Sequence, residues 1–114
     1  MTYDKIYYPY PATNRRHKYF IITDIGRKIS FGQYGAEDFT IHKDEERKQR
    51  YINRHKKREE QYWNKSGINR ASWWSRFLLW EEPDIRDAYK KIKDKLLKWG
   101  VISKEQYKKN VWKG

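Results

Sequence analysis

Arg70-Ala71-Ser72-Trp73-Trp74-Ser75-Arg76-Phe77-Leu78-Leu79-Trp80 is the stretch of this 114-residue chain that decides its fold. Asn69 can cap a helix over residues 70–80, and that helix would be apolar on almost every side. A helix that is apolar all round is stable only when other elements cover it. We therefore predict that residues 70–80 form the buried centre of the protein.

The segments around this centre predict a β-hairpin and further helices. Residues 19–23 (YFIIT) and 28–33 (KISFGQ) are β-branched and aromatic, and Gly26 between them can supply the positive φ of a tight turn. Helices are predicted over residues 44–62, from Pro83 to Gly100, and from Ser103 to near residue 112. The predicted fold class is α+β, with an N-terminal β-hairpin packed on a cluster of three to four short helices.

The N-terminal segment predicts a separate arm. Tyr7-Tyr8-Pro9-Tyr10-Pro11 contains two prolines, which fix φ and remove backbone donors, so we expect an extended conformation. We divide the chain into an extended Tyr/Pro arm, residues 1–17, and a single small basic domain, residues 18–114. Either the tyrosines pin this arm to the domain surface, or the arm docks onto another chain.

Composition limits the classes of function. The chain has 27 Lys and Arg against 15 Asp and Glu, a formal net charge of +12, and no cysteine, which excludes disulfides and thiol chemistry. The longest uncharged bulky apolar runs, such as Phe77 to Trp80, are far shorter than the ~20 residues of a membrane span, so no membrane association is predicted. A charge excess of this size favours a polyanionic partner, and nucleic acid is the first candidate.

The helix over residues 44–62 concentrates positive charge on one side. At 100° per residue, five basic residues fall within an arc of about 100° beside the arc of Tyr51, His55 and Tyr62. Those five are Arg47, Arg50, Arg54, Lys57 and Arg58. The stripe is about 16 Å long, and phosphates on one DNA strand lie roughly 7 Å apart, so it could meet two to four of them.

Three more basic residues, Lys43, Arg70 and Arg76, are predicted neighbours of this stripe in a nucleic-acid-binding site. The helix after Pro83 adds five lysines. The other interpretation of the stripe is a solvated helix face that nearby acidic residues balance. These acidic residues are Glu45, Glu46, Glu59 and Glu60.

An enzyme would have to be built from three histidines and 15 carboxylates. His42 and His55 are 13 residues apart, so neither has a second histidine three or four residues away. His55 is best interpreted as a half-buried ring that donates to a carboxylate such as Glu59. Neither a phosphate-binding glycine loop nor a Gly-x-Ser-x-Gly elbow is present. We predict no enzymatic activity, no metal site and no cofactor. The tryptophans are spaced as core residues, although Trp63 and Trp112 are freer.

Two sequence blocks carry a resemblance to a known family. The first contains Phe31-Gly32, Asp38 to Arg47, Arg50-Tyr51 and Arg54-His55-Lys56; the second contains Trp63, Lys65 to Ile68 and Trp74 to Trp80. Together they resemble a family of short, basic, largely uncharacterised proteins of giant nucleocytoplasmic large DNA viruses and related large viruses. The resemblance implies a viral origin and fits a virion-associated or DNA-handling role, so we expect the protein in the virion and in the viral factory of the host cytoplasm.

Two functions are consistent with these observations. The first is a virion-associated basic protein that binds nucleic acid, double-stranded DNA above all, without sequence specificity, and so condenses or packages a genome. The alternative is a minor capsid or cement protein that contacts other virion proteins through the N-terminal arm or the hairpin edge. The sequence leaves open whether DNA or RNA is bound, and whether the stripe meets an acidic protein instead.

Overall fold

The computed structural model describes residues 3–113 and has the predicted α+β class. Its elements, in chain order, are β1 Tyr10–Pro11, β2 His17–Ile22, β3 Lys28–Gln33, α1 Phe39–His42, α2 Glu45–Glu59, α3 Ala71–Trp74, α4 Ile85–Lys98 and α5 Lys104–Lys109. Two 3₁₀ turns, Glu60–Tyr62 and Lys65–Gly67, join α2 to α3. The sheet thus comes first and the helices cover it.

The predicted hairpin is confirmed. Strands β2 and β3 pair antiparallel with Tyr19 opposite Phe31 and Ile21 opposite Ile29. The turn closes where the backbone N–H of Thr23 donates to the carbonyl of Arg27 over 2.9 Å. Gly26 takes a φ of 80° in this turn, which is the left-handed conformation expected of it.

Two tyrosines of the N-terminal segment lie inside the protein. Tyr7 and Tyr8 are 1% and 6% exposed, and β1 pairs with β2 to make a three-stranded sheet in the order β1-β2-β3. The hydroxyl of Tyr7 donates to Oδ1 of Asn69 over 2.8 Å, and the hydroxyl of Tyr89 donates to the carbonyl of Tyr7 over 2.9 Å. The segment predicted as an arm therefore contributes a strand and large rings to the core.

The apolar segment is the buried centre, as predicted. Helix α3 runs directly into a π-helical turn, Ser75–Leu79. Trp73, Trp74 and Leu78 are at most 1% exposed, and the indole N–H of Trp74 donates to the carbonyl of Ile68 over 2.8 Å. The wider π turn brings three consecutive residues, 77–79, into the core.

Helix α4, in the region predicted to be helical from Pro83 to Gly100, covers this centre with an apolar stripe. Ala88, Tyr89, Ile92 and Leu96 are buried along one side, and the side chain of Asp84 caps the helix by accepting from the N–H of Arg86. Among residues 3–113, no helix has the length and apolar content that a membrane crossing requires.

Helix α1 was not predicted from the sequence. Asp38 caps it, accepting from the N–H of Thr40 over 2.9 Å, and Phe39 is its buried residue. Only a short break, including Lys43 in the left-handed conformation, separates α1 from α2. Asp44, the first residue of the predicted helix, caps α2 by accepting from the N–H groups of Glu46 and Arg47.

Candidate nucleic-acid interface

Helix α2 is attached to the domain along a narrow line. Tyr51 is its one buried residue, and its ring stacks on Trp80 with centroids 4.3 Å apart and planes 5° apart. Nζ of Lys48 donates to the carbonyl of Glu81 over 2.7 Å and lies 5.1 Å from the ring of Phe39. With so few residues used for attachment, most of the helix surface faces solvent.

The aromatic side of α2 has the predicted composition. Burial is the main cause that raises the pKa of Tyr51 to about 12. The ring of His55 lies 4.2 Å from that of Tyr51, and its Nδ1 is 3.5 Å from Oε2 of Glu59, the partner expected for it. Within residues 3–113, no three His, Asp or Glu side chains form a group that could hold a metal ion.

The first residue of the basic stripe, Arg47, is the most buried of the five and has an acidic partner. Arg47 is half-buried, and its guanidinium is 3.7 Å from the carboxylate of Glu37. Arg50 has a side chain that is 68% exposed and meets Glu46 only at 4.0 Å. The Arg50–Glu46 pair is exposed and long, so it contributes little to stability because solvent screens the two charges.

The rest of the stripe lies free on the surface. Arg54, Lys57 and Arg58 are exposed, and no carboxylate of the described chain lies within 4.0 Å of them. With Arg50, they form one arc of the helix, which we call the α2 basic face. This face is the largest set of neighbouring exposed cations that the sequence predicted as a site.

The three predicted neighbours have different environments. Lys43 is exposed but donates to the carbonyl of Pro83 over 2.7 Å. The guanidinium of Arg70 is exposed and lies 3.9 Å from the ring centre of Tyr62, just beyond the end of α2. Both remain at the surface, and Arg70 extends the basic region past the helix terminus.

Arg76 does not join this surface. Its side chain is 12% exposed, and it donates to Oε1 of Glu81 over 2.6 Å. Its guanidinium also lies about 5 Å from the rings of Trp63 and Phe77. Burial tends to raise the pKa of Glu81, but the hydrogen bond and charge of Arg76 outweigh it and hold that pKa below its usual value. Arg76 therefore has a structural ion pair.

The five lysines of α4 do not form a second basic stripe. Lys90 pairs with Asp94 at 2.8 Å and Lys91 with Glu82 at 3.2 Å. Lys93 is buried and donates to the carbonyl of Tyr107 over 3.1 Å, while Lys95 is half-buried over the ring of Phe77. The unpaired charge that remains is concentrated elsewhere, most clearly on the α2 basic face.

The structure adds an aromatic groove that sequence reasoning missed. It has a volume of about 830 Å³ and lies between the N-terminal segment, β2 and residues 34–41. We call it the tyrosine groove, after the lining residues Tyr8, Tyr10, Tyr19 and Tyr34, with Trp112 beside them. The three tyrosines within residues 7–10 indicated an aromatic surface in the sequence. The groove itself forms only when β1 pairs with β2, which the sequence pattern did not predict.

One family model matches part of the chain. Residues 10–55 are similar to a family of unknown function (DUF5754). The matched residues include the whole sheet, α1 and α2 as far as His55. No curated protein and no solved structure matches the chain. The similarity therefore links the sheet and most of α2 to other proteins without supplying an activity.

Proposed function

We propose that this protein binds nucleic acid without sequence specificity through the α2 basic face. The observation that carries the proposal is that Arg54, Lys57 and Arg58 are exposed on one side of α2 without acidic partners in the described chain. Side chains of this kind contact phosphates, which fix a protein on a nucleic acid but carry no sequence information.

The positions along the helix support phosphate binding over a purely structural role. Cations in the last turn of a helix are favoured by its dipole, which would account for Lys57 and Arg58. The dipole does not account for Arg50 and Arg54, which lie in the middle of α2. Their shared arc requires another reason, and a line of phosphates supplies one.

Double-stranded DNA is the first ligand that we propose. The protein would condense or package a genome as a virion-associated protein, in keeping with the resemblance to proteins of large DNA viruses. Its formal net charge of +12 would screen repulsion between neighbouring DNA segments. RNA, whose backbone carries the same phosphates, would bind through the same face.

The alternative, a cement protein, has less support. Tyr7 and Tyr8 are buried and are not available as contacts for another chain. Along β1, one of the two outer strands, Pro11 has no N–H to donate, which disfavours addition of a partner strand there.

Charge reversal with a matched control tests the proposal. The variant Arg54→Glu, Lys57→Glu, Arg58→Glu changes the net charge by the same amount as Lys98→Glu, Lys104→Glu, Lys108→Glu, whose lysines are also exposed. We expect the α2 variant to lose about a hundredfold or more in affinity for random-sequence duplex DNA, measured by fluorescence anisotropy, because it removes about three phosphate contacts.

The control variant should lose much less affinity, since it changes only the general field of the protein. Equal losses in the two variants would mean that net charge, and not the α2 basic face, determines binding. Circular dichroism spectra of both variants establish that the fold is kept. All six substituted side chains are exposed, so we expect both variants to fold.

A further inference from the structure

We infer that the tyrosine groove receives an unstacked base of single-stranded nucleic acid, whose flanking phosphates lie on the neighbouring basic side chains. This inference rests on the proposed function and extends it from duplexes to single strands. Proteins that bind single strands combine aromatic side chains, on which bases stack, with a positively charged path for the backbone. Both parts are present here, next to each other.

The groove has the size and the lining that a base requires. Its volume of about 830 Å³ lies within the range of about 300–1,000 Å³ that is common for small-molecule sites. Tyr34 stands at its rim with 57% of its surface exposed, and its ring has no aromatic neighbour among residues 3–113. An exposed tyrosine ring beside an aromatic lining is a stacking surface without a protein partner.

A polar group inside the groove can recognise the edge of a base. Tyr19 is half-buried, and its hydroxyl makes no hydrogen bond to the rest of the described chain. Burial and the nearby charge of Asp38 raise the pKa of Tyr19, so its hydroxyl stays protonated and can donate. Asp38 itself is held by Lys18 and the N–H of Thr40, which fixes the wall of the groove.

The groove adjoins the basic stripe of α2. Glu37 lines the groove, and its carboxylate is the one that lies 3.7 Å from Arg47, the first residue of the stripe. The lysines Lys5 and Lys113 also line the groove. A strand that leaves the groove at Glu37 would therefore meet Arg47 and then the α2 basic face. Two carboxylates also line the groove, but Arg47 pairs with Glu37 and Lys18 pairs with Asp38. Lys5 and Lys113 leave a positive balance, which favours a polyanion over a basic peptide.

The test compares the affinities of the wild type and a groove variant for single-stranded and for double-stranded DNA. Tyr34→Ala removes the exposed ring, and Ile25→Ala, which truncates a residue 83% exposed in the hairpin turn, is the control. The probes are a fluorescein-labelled oligothymidine of about 12 nucleotides and a duplex of the same length. Anisotropy titrations give both affinities for the wild type and the two variants.

We expect Tyr34→Ala to weaken oligothymidine binding about fivefold or more, in line with the loss of one stacked base. Duplex binding should stay unchanged in both variants, and Ile25→Ala should match the wild type on both probes. Equal binding of oligothymidine by the wild type and Tyr34→Ala would overturn the inference, yet leave the proposed function intact. The proposed function fails separately, if reversal of the α2 basic face does not weaken duplex binding.

A second readout locates the base directly. In two-dimensional NMR spectra, each of the six tryptophans gives one indole N–H signal. Addition of oligothymidine should shift the signal of Trp112, which lines the groove, and not those of the buried Trp73 and Trp74. Shifts that leave Trp112 unmoved while oligothymidine is bound would place the base elsewhere and contradict the inference.

Discussion

At the scale of single residues, Gly67 is the glycine with the least space for a side chain. It is buried in the 3₁₀ turn between α2 and α3. A Cβ placed on it would lie 1.9 Å from the carbonyl oxygen of Tyr62 and 2.9 Å from Cδ1 of Trp73. The backbone and the central tryptophan approach each other so closely that only a hydrogen atom fits between them.

Gly67→Ala should therefore lower the free energy of unfolding by about 3 kcal/mol or more, since overpacking at a rigid site forces the backbone to move. Gly26→Ala is the matched control, because its Cβ would meet nothing within 4 Å and only the φ of 80° is strained. That strain costs about 1–2 kcal/mol. Urea denaturation measures both, and an equal loss in the two variants would contradict the packing argument.

The roles of some single residues could be predicted from the sequence, and those of others could not. The cap at Asp44 and the turn glycine Gly26 were predictable, because both act on residues next to them in the chain. Arg76 was not, because helical spacing says nothing about Glu81, Trp63 and Phe77 as its neighbours in space. A basic residue in an apolar segment is equally consistent with a surface site and with a buried ion pair.

At the scale of elements, the stack of Tyr51 on Trp80 holds α2 to the domain. Removing the ring should release the helix, because no other residue of α2 is buried. We expect Tyr51→Ala to speed amide hydrogen exchange throughout α2 and to cost about 3–5 kcal/mol of stability, as large-to-small aromatic substitutions do. Tyr51→Phe keeps the stack and should behave as the wild type near neutral pH. Unchanged exchange in α2 of Tyr51→Ala would mean that other contacts hold the helix.

Elements that repeat a clear pattern were the predictable ones. The apolar residues of α4 recur at three- and four-residue steps, and β2 and β3 are rich in β-branched and aromatic residues, so this helix and the hairpin could be predicted from the sequence. Helix α1 has only four residues, about one helical turn and too few for an apolar position to recur, and β1 has only two. Short elements of this kind are selected by tertiary contacts, which a local pattern does not contain.

At the scale of the whole molecule, burial of tyrosines makes the free energy of unfolding fall at alkaline pH. Burial is the main cause that raises the pKa of five of them: Tyr7, Tyr10, Tyr19, Tyr51 and Tyr89. Because their pKa is raised in the folded state, these hydroxyls lose their protons at a lower pH in the unfolded chain than in the folded protein. The stabilisation is complete below the unfolded pKa of 10.0 and is lost as the pH rises through the folded pKa.

Tyr51 isolates one part of this effect, because its pKa rises to about 12. We expect the free energy of unfolding of the wild type to fall by about 1 kcal/mol relative to Tyr51→Phe between pH 9 and about pH 11. Guanidinium titrations at the two pH values measure the difference. If the gap between the two proteins stayed constant across this range, the Tyr51 hydroxyl would not be buried as described.

The candidate site was predictable in part. The α2 basic face follows from residue spacing on one long helix, so four of its members could be named from the sequence: Arg50, Arg54, Lys57 and Arg58. The lysines of α4 have a similar density in the sequence, but Lys90 and Lys91 pair with carboxylates and Lys93 donates to a backbone carbonyl. The tyrosine groove depends on residues from both ends of the chain, which no local pattern brings together.

The claim that exposed cations of this protein bind nucleic-acid phosphates, on which the assignment to the α2 basic face depends, is tested most directly by the salt dependence of binding. Fluorescent random-sequence duplex DNA is titrated with the wild-type protein at about 50 and about 200 mM salt. With three to four phosphates contacted, affinity should fall about a hundredfold over this range, because counterions are released on binding. No measurable binding at the lower salt concentration would contradict the account, since the exposed cations of α2 would then have no polyanion to meet.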